Sequence, residues 1–275
     1  STSYSIVLAV PGIDRIFLHH PGANDTFVYE DIPQEKLADA ALFHFGYPSI
    51  MKSMFENEGK ELVRILKHIK EMGLATSLDM AAVDANSEAG QADWRKILKN
   101  VLPYVDFFVP SAEELCFMLD KDRFCSWNQR ACGRDVTELL SIEEDIRPLA
   151  KQCMAFGAKV VMIKCGAPGI YYQCADKETL KTTGSRLALD AEAWALRSGF
   201  EKSYRPERLL SATGAGDVSI AAFLASVLAG RDVEDCVRLA AAAGASCVTS
   251  YDALGGLLTL DQLEEKINGG WEKCS

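Results

Sequence analysis

The chain lacks the commonest phosphate-binding plan: no Gly-x-x-x-x-Gly-Lys-Ser/Thr segment occurs anywhere in it. It also lacks a cluster of Lys or Arg, and its formal net charge is −10. Without a basic face it is not expected to hold a nucleic-acid backbone. Any anionic ligand would need local positive potential or a metal ion to offset the overall charge. No apolar run approaches the roughly 20 residues that a membrane-spanning helix needs, so no membrane partner is expected. None of the nine cysteines forms Cys-x-x-Cys, and none pairs with one of the four histidines at metal-ligand spacing. An odd number of scattered cysteines behind an N-terminus unlike a signal peptide points to reduced thiols and a cytoplasmic protein. Internal repeats and low-complexity linkers are missing too. The 275 residues, 48% of them hydrophobic, suit one large α/β domain with an appendage.

The most informative segment is Leu210-Ser211-Ala212-Thr213-Gly214-Ala215-Gly216-Asp217. Behind it runs an apolar stretch from Val218 to Ala229, closed by Gly230, which reads as a helix with a glycine stop. A small-residue turn at a helix start aims several backbone N–H groups one way, and with the helix dipole they form an anion site. A carboxylate in such a place suits removal of a proton from a hydroxyl that attacks a phosphate. The residues alone also fit a plain tight turn with an aspartate favourable for the dipole.

Elsewhere the pattern alternates. Tyr4 to Val10 and Ile16 to Leu18 read as a hairpin around Pro11-Gly12, and Gly22 to Phe27 as a polar loop. Helices are expected over 34–41, 56–72, 94–102, 111–119, 141–156, 233–249 and 260–267. Strands are expected over 41–46, 75–79, 105–109 and 160–164, with more chain returning at Tyr171-Tyr172. In the helix over 56–72, Leu62, Ile65, Leu66 and Ile69 share one face. Such alternation gives a mostly parallel sheet sandwiched by helices, with a small β lid. Ligands then lie at the carboxyl ends of strands, where Asp79, the Ser111–Glu114 turn and Gly166 fall. His19 and His20, beside the hairpin, read as surface or rim residues rather than metal ligands.

Thr213 to Asp217 and the small-residue helix after them resemble the second signature of the ribokinase-like (PfkB-type) carbohydrate kinases. Two further segments match in family order: Pro110-Ser111-Ala112-Glu113-Glu114 resembles the Pro-Asn-x-x-Glu motif, and Lys164-Cys165-Gly166-Ala167-Pro168-Gly169 resembles the strand–Gly-x-x-Gly–strand hairpin against the nucleotide. The resemblance implies ATP-dependent phosphorylation of a hydroxyl on a small sugar or sugar-like substrate. Asp217 would be the catalytic base, and the backbone N–H groups of Gly214, Ala215 and Gly216 the anion hole. Thr213, Lys164, Gly166 and Gly169 would bind the nucleotide, Asn24 and Asp79 the sugar, and Glu114 would serve Mg²⁺ through water. Residues 1–30 would be a lid that pairs two subunits into a homodimer, and 31–275 the core. In many members of the family an aspartate that helps bind a monovalent cation stands where this chain has Ser211, which weakens the expectation of potassium activation. The family's N-terminal strand, sugar-binding aspartate and Gly-Gly-x-x-x-Asn segment find no match before Tyr4, so the N-terminal part of the core is expected to be absent from this sequence. Two other readings stand beside the sugar kinase: a nucleoside kinase of the same superfamily, for which Phe17 or Phe27 could stack a base, and a non-catalytic ligand-binding relative.

Overall fold

A computed structural model describes residues 1–8 and 16–274, with the backbone alone at Ile16 and Phe17. Its centre is a six-stranded sheet. The strands are β3 (Leu42–Phe45), β4 (Ala75–Leu78), β5 (Phe107–Phe108), β6 (Val160–Lys164), β7 (Gly169–Cys174) and β8 (Ser198–Lys202), paired in that order. β3 to β6 run parallel, and β7 and β8 are antiparallel to their neighbours. A separate antiparallel pair, β1 (Tyr4–Leu8) and β2 (Ile16–His20), makes the small second sheet. The expected turn at Pro11-Gly12 and the end of the first strand at Ala9-Val10 lie outside the described residues.

Strand periodicity sorts the core. Phe108, Val161 and Ile163 face one apolar cluster, while Phe107, Val109, Val160 and Met162 face the other. The first cluster is covered by α1 (Lys60–Glu71), α2 (Trp94–Val101), α3 (Ala112–Leu119), α4 (Lys121–Ala131) and α5 (Arg147–Ala155). Leu62, Ile65, Leu66 and Ile69 of α1 are all fully buried there, as the stripe requires. The second cluster is covered by α6 (Ala215–Leu228) and α7 (Val233–Cys247), which pack through Ala222 and the run Ala240–Ala243. α8 (Leu260–Asn268) closes the chain, with Leu263 in the same cluster.

Several boundaries differ from the sequence reading. α1 begins at Lys60, not Glu56, because Asn57, Glu58 and Gly59 all take left-handed φ values of 50°, 62° and 75°. The helix expected over 141–156 splits into a π-type turn (Ile142–Ile146) and α5, where Pro148 lies in the first turn and supplies no N–H. Only Phe107-Phe108 of the strand over 105–109 is paired as β5. The helix expected over 34–41 forms for one turn, Gln34–Leu37. The polar loop after β2 is a 3₁₀ turn over Gly22–Thr26, seated on the short helix Lys52–Phe55, where Asp25 Oδ1 accepts from the Lys52 N–H at 3.1 Å. α4 and β8 were not expected.

At the amino ends of the strands, opposite the site described below, the buried Asp106 carboxylate gathers donors from four residues. Lys70 Nζ at 2.8 Å, Lys159 Nζ at 2.6 Å, the Thr76 N–H at 2.9 Å and the Gly184 N–H at 3.3 Å all donate to its carboxylate. The two ammonium groups also donate to the Thr182 carbonyl, which ties the 182–184 loop to the sheet.

Candidate active site

Four consecutive strand ends and one helix start converge at the carboxyl edge of the sheet. β3 leads through Gly46 to Tyr47, β4 to Asp79, β5 to Val109 and Ser111, and β6 ends on Lys164. The ladder extends into these loops: the Asp79 N–H donates to Phe45 O at 3.0 Å, Val109 N–H to Leu78 O at 2.9 Å, and Lys164 N–H to Pro110 O at 3.0 Å. Side chains carried by the loops are therefore fixed by the sheet.

Asp79 is 2% exposed and accepts from Lys164 Nζ at 2.7 Å; the same ammonium donates to Val109 O at 2.7 Å. Burial pushes the Asp79 carboxyl up to about 7, against the pull of Lys164, and the Glu114 carboxylate adds to the rise. The Lys164 stem runs along Gly216: a methyl group built there would stand 3.6 Å from Lys164 Cε and 3.7 Å from Cδ, and would touch nothing else. The ion pair and the start of α6 thus belong to one site.

Gly214 is the N-cap of α6, in left-handed conformation at φ 81°, and a Cβ on it would collide with Ala253. Ala215, Gly216 and Asp217 form the first helical turn, whose N–H groups have no carbonyl four residues back within the helix. The Ala215 N–H leans on Ala212 O at 3.3 Å. Thr213 is held from inside the loop, its N–H donating to Ser211 Oγ at 3.1 Å and its hydroxyl accepting from Ser211 at 3.0 Å.

Asp217 is solvent-exposed, and its Oδ1 accepts a hydrogen bond from the Tyr47 hydroxyl. Tyr47 takes φ 65° and ψ 42°, a conformation that costs a bulky residue on the order of 1 kcal/mol or more. Its N–H donates to Asp79 O at 3.3 Å, and the next turn is bolted to the loop after β4 by buried Ser49, which bonds both Ala81 O and Ala81 N–H. Burial and the hydrogen bond to Asp217 hold the Tyr47 phenol well above its usual range, so it remains a donor. Beside it, His44 Nδ1 bonds Ser77 Oγ at 3.0 Å, and desolvation and the Lys164 ammonium keep its imidazole below the usual range.

Asp217, Gly216, Lys164 and Asp79 therefore meet, with Glu114 near enough to act on Asp79. Glu114 is also committed to its own helix: Oε2 accepts from the Ser111 N–H at 2.9 Å while the Ser111 hydroxyl accepts from the Glu114 N–H. Gly166 and Gly169 shape the β6–β7 hairpin, at φ 63° and 142°; a Cβ on Gly166 would strike Thr137, and one on Gly169 the backbone of Glu201. No described contact joins Asn24 to Asp79, Lys164, Tyr47 or Asp217. His19 and His20 bond Ser5 and Ser1 on the exposed hairpin, and among the described residues no group of three or more acidic, Cys or His side chains is placed to hold a metal. Tyr47 and His44 were missed by the sequence reading; a Gly-Tyr-Pro turn directly after a strand was the available signal.

Known proteins share this architecture. An uncharacterized sugar kinase of Archaeoglobus fulgidus is 27% identical over 245 residues, covering 89% of this chain and 75% of its own. The Arabidopsis thaliana ribokinase complexed with ribose and ATP superposes with a TM-score of 0.65 at 18% identity, over 96% of this chain and 68% of that one. A putative ribokinase II from E. coli, in complex with ATP and Mg²⁺, does so at 0.62 and 22%, over 93% and 68%. Residues 1–259 match the pfkB family carbohydrate kinases as a family, and with the signature turn lying where the strand ends converge, the chain belongs to that family of carbohydrate kinases.

Proposed function

We propose that this carbohydrate kinase transfers the terminal phosphoryl group of ATP to a hydroxyl of a small sugar, with Asp217 as the base. One observation carries the reading. The Asp217 carboxylate stands in the open first turn of α6, beside a glycine whose free face looks onto Lys164. A phosphate can approach Gly216 because no Cβ intervenes, and the N–H groups of Gly214, Ala215 and Gly216 supply donors toward it. Developing negative charge there is stabilised by donors already in place. Asp217 accepts the proton of the attacking hydroxyl. Lys164, now shared between Asp79 and Val109 O, offers positive charge at the same edge of an otherwise acidic protein.

The donor set also suits Mg²⁺ held mainly by phosphate and water. Glu114 and Asp79 are carboxylates at the edge, one engaged by a helix cap and one by a lysine, as expected of groups that act through water rather than as a closed cage. The metal would supply charge neutralisation on the phosphates. Thr213, Gly166 and Gly169 support the reading by shaping the loops around the nucleotide, and Asn24 lies in the turn seated beside the chain that follows Tyr47. The β1–β2 sheet is the proposed lid, with Tyr4, Ile6, Leu8 and Leu18 exposed for a second subunit.

Asp217→Asn tests the assignment. Loss of the base lowers kcat by roughly 10²–10⁴ with little change in ATP binding. A variant with near-normal kcat, measured as ADP release on the best acceptor from a panel of sugars and nucleosides, would leave Asp217 as a dipole-favoured turn residue.

A further inference from the structure

Among helices α1 to α8, four carry at the third helical position a side chain that can accept a hydrogen bond: Glu114 in α3, Asp217 in α6, Asp235 in α7, which takes Arg238 of its own helix, and Gln262 in α8. In α3, Glu114 folds back onto the N-cap Ser111 N–H at 2.9 Å, and in α8, Gln262 folds back onto the N-cap Thr259 N–H at 2.9 Å. In α6 the third position is Asp217, and its carboxylate turns away to the Tyr47 hydroxyl, 170 residues distant in sequence. Folding back at α6 would place a carboxylate on the very N–H groups a phosphate needs. The N-cap there is Gly214, which offers no side chain to occupy them first. Tyr47, meanwhile, is held in a left-handed conformation by its N–H bond to Asp79 O and by the Ser49–Ala81 bolt.

We infer that Tyr47 is a positioning residue that holds the Asp217 carboxylate out of the anion cradle, so that the phosphate site and the base can coexist within one helical turn. The inference rests on the proposed phosphate site at α6. Tyr47 touches neither phosphate nor sugar in this role and acts through Asp217 alone. That makes its effect separable from a structural one, because it must vanish when the carboxylate is removed.

The test is titration calorimetry with AMP-PNP and Mg²⁺, which needs no knowledge of the acceptor. Tyr47→Phe, which deletes one oxygen and keeps the ring, frees the carboxylate to take the cradle. A charge-assisted hydrogen bond must then be displaced by the incoming phosphate, and Kd rises about tenfold. Asp217→Ala binds at least as tightly as wild type, and Tyr47→Phe in the Asp217→Ala background adds nothing further. Equal affinity of Tyr47→Phe and wild type would overturn the inference, as would the same weakening in both backgrounds. Gly216→Val separates the two levels. If it leaves AMP-PNP binding intact, the phosphate site itself is misplaced and the inference falls with it. If it abolishes binding while Tyr47→Phe does not weaken it, the phosphate site stands and Tyr47 has no part in it.

Discussion

Gly214 and Gly216 lie two residues apart in the same turn, yet the structure gives them opposite reasons for being glycine, and replacing each by alanine separates phosphate binding from backbone geometry. At Gly216 the backbone is ordinary helix. The new methyl group meets only the Lys164 stem at 3.6–3.7 Å, normal van der Waals contact. Relative to glycine, alanine in a helical turn is favourable by about 0.5–1 kcal/mol, which for a chain of this size moves Tm upward by a few degrees at most. The same methyl stands on the Lys164 side of the cradle. Phosphate oxygens accept from N–H donors at roughly 2.7–3.1 Å, whereas a carbon needs about 3.5 Å, so the phosphate is displaced and the alignment of at least one donor is lost. Removing one such donor costs about 10²–10³ in kcat. Gly216→Ala should therefore melt at or above the wild-type temperature while losing most activity and AMP-PNP affinity, and Gly216→Val should be inactive. At Gly214 the reasons invert: φ is 81° and the methyl collides with Ala253, so Gly214→Ala should lose on the order of 1–3 kcal/mol of stability. Circular-dichroism melts and ADP release, run on the three proteins together, check this. A Gly216→Ala enzyme with wild-type kcat would refute the argument, because it would mean no phosphate approaches that face.

Asp106→Asn should cost about 3–5 kcal/mol in urea titrations, since Lys70 and Lys159 lose the carboxylate that partners them and burial already holds the Lys159 ammonium below its ordinary range; kcat at a temperature where the variant is folded should match wild type, because the cluster sits at the far end of the strands. Asp79 binds its proton up to about pH 7 in the native state and releases it near the ordinary carboxylate range when unfolded. Its contribution to stability is therefore greatest below about pH 4 and declines as pH rises to 7, and Asp79→Asn should flatten that part of the stability–pH curve; an unchanged slope would show that Asp79 is ionised throughout. Exposed Tyr4, Ile6, Leu8 and Leu18 on one small sheet call for a dimer at micromolar concentration in sedimentation, which Leu8→Glu should break; a strictly monomeric wild type would end the lid-pairing proposal.

Much of the frame was readable from residue order alone, because the forces involved are local. The stripe Leu62-Ile65-Leu66-Ile69 specifies a helix face at period 3.6, and all four residues are buried on it. Val160 to Lys164 alternates between two apolar clusters because neighbouring side chains on a strand point opposite ways. The Gly214-Ala215-Gly216-Asp217 turn announces a helix start whose N–H donors have no partner within the helix, whatever surrounds it. What residue order did not show is set by groups distant in sequence. Asn57 and Glu58 turn left-handed where composition reads as helix, and β8 is recognisable only once β7 offers it an edge. Lys164 and Asp79 lie 85 residues apart and become a buried pair because parallel strands end at one edge; burial then raises the Asp79 pKa. The partner of Asp217 was least legible of all. Nothing near position 217 specifies where its carboxylate points, and only the sheet, by bringing the end of β3 beside the start of α6, sets a tyrosine hydroxyl there to receive it.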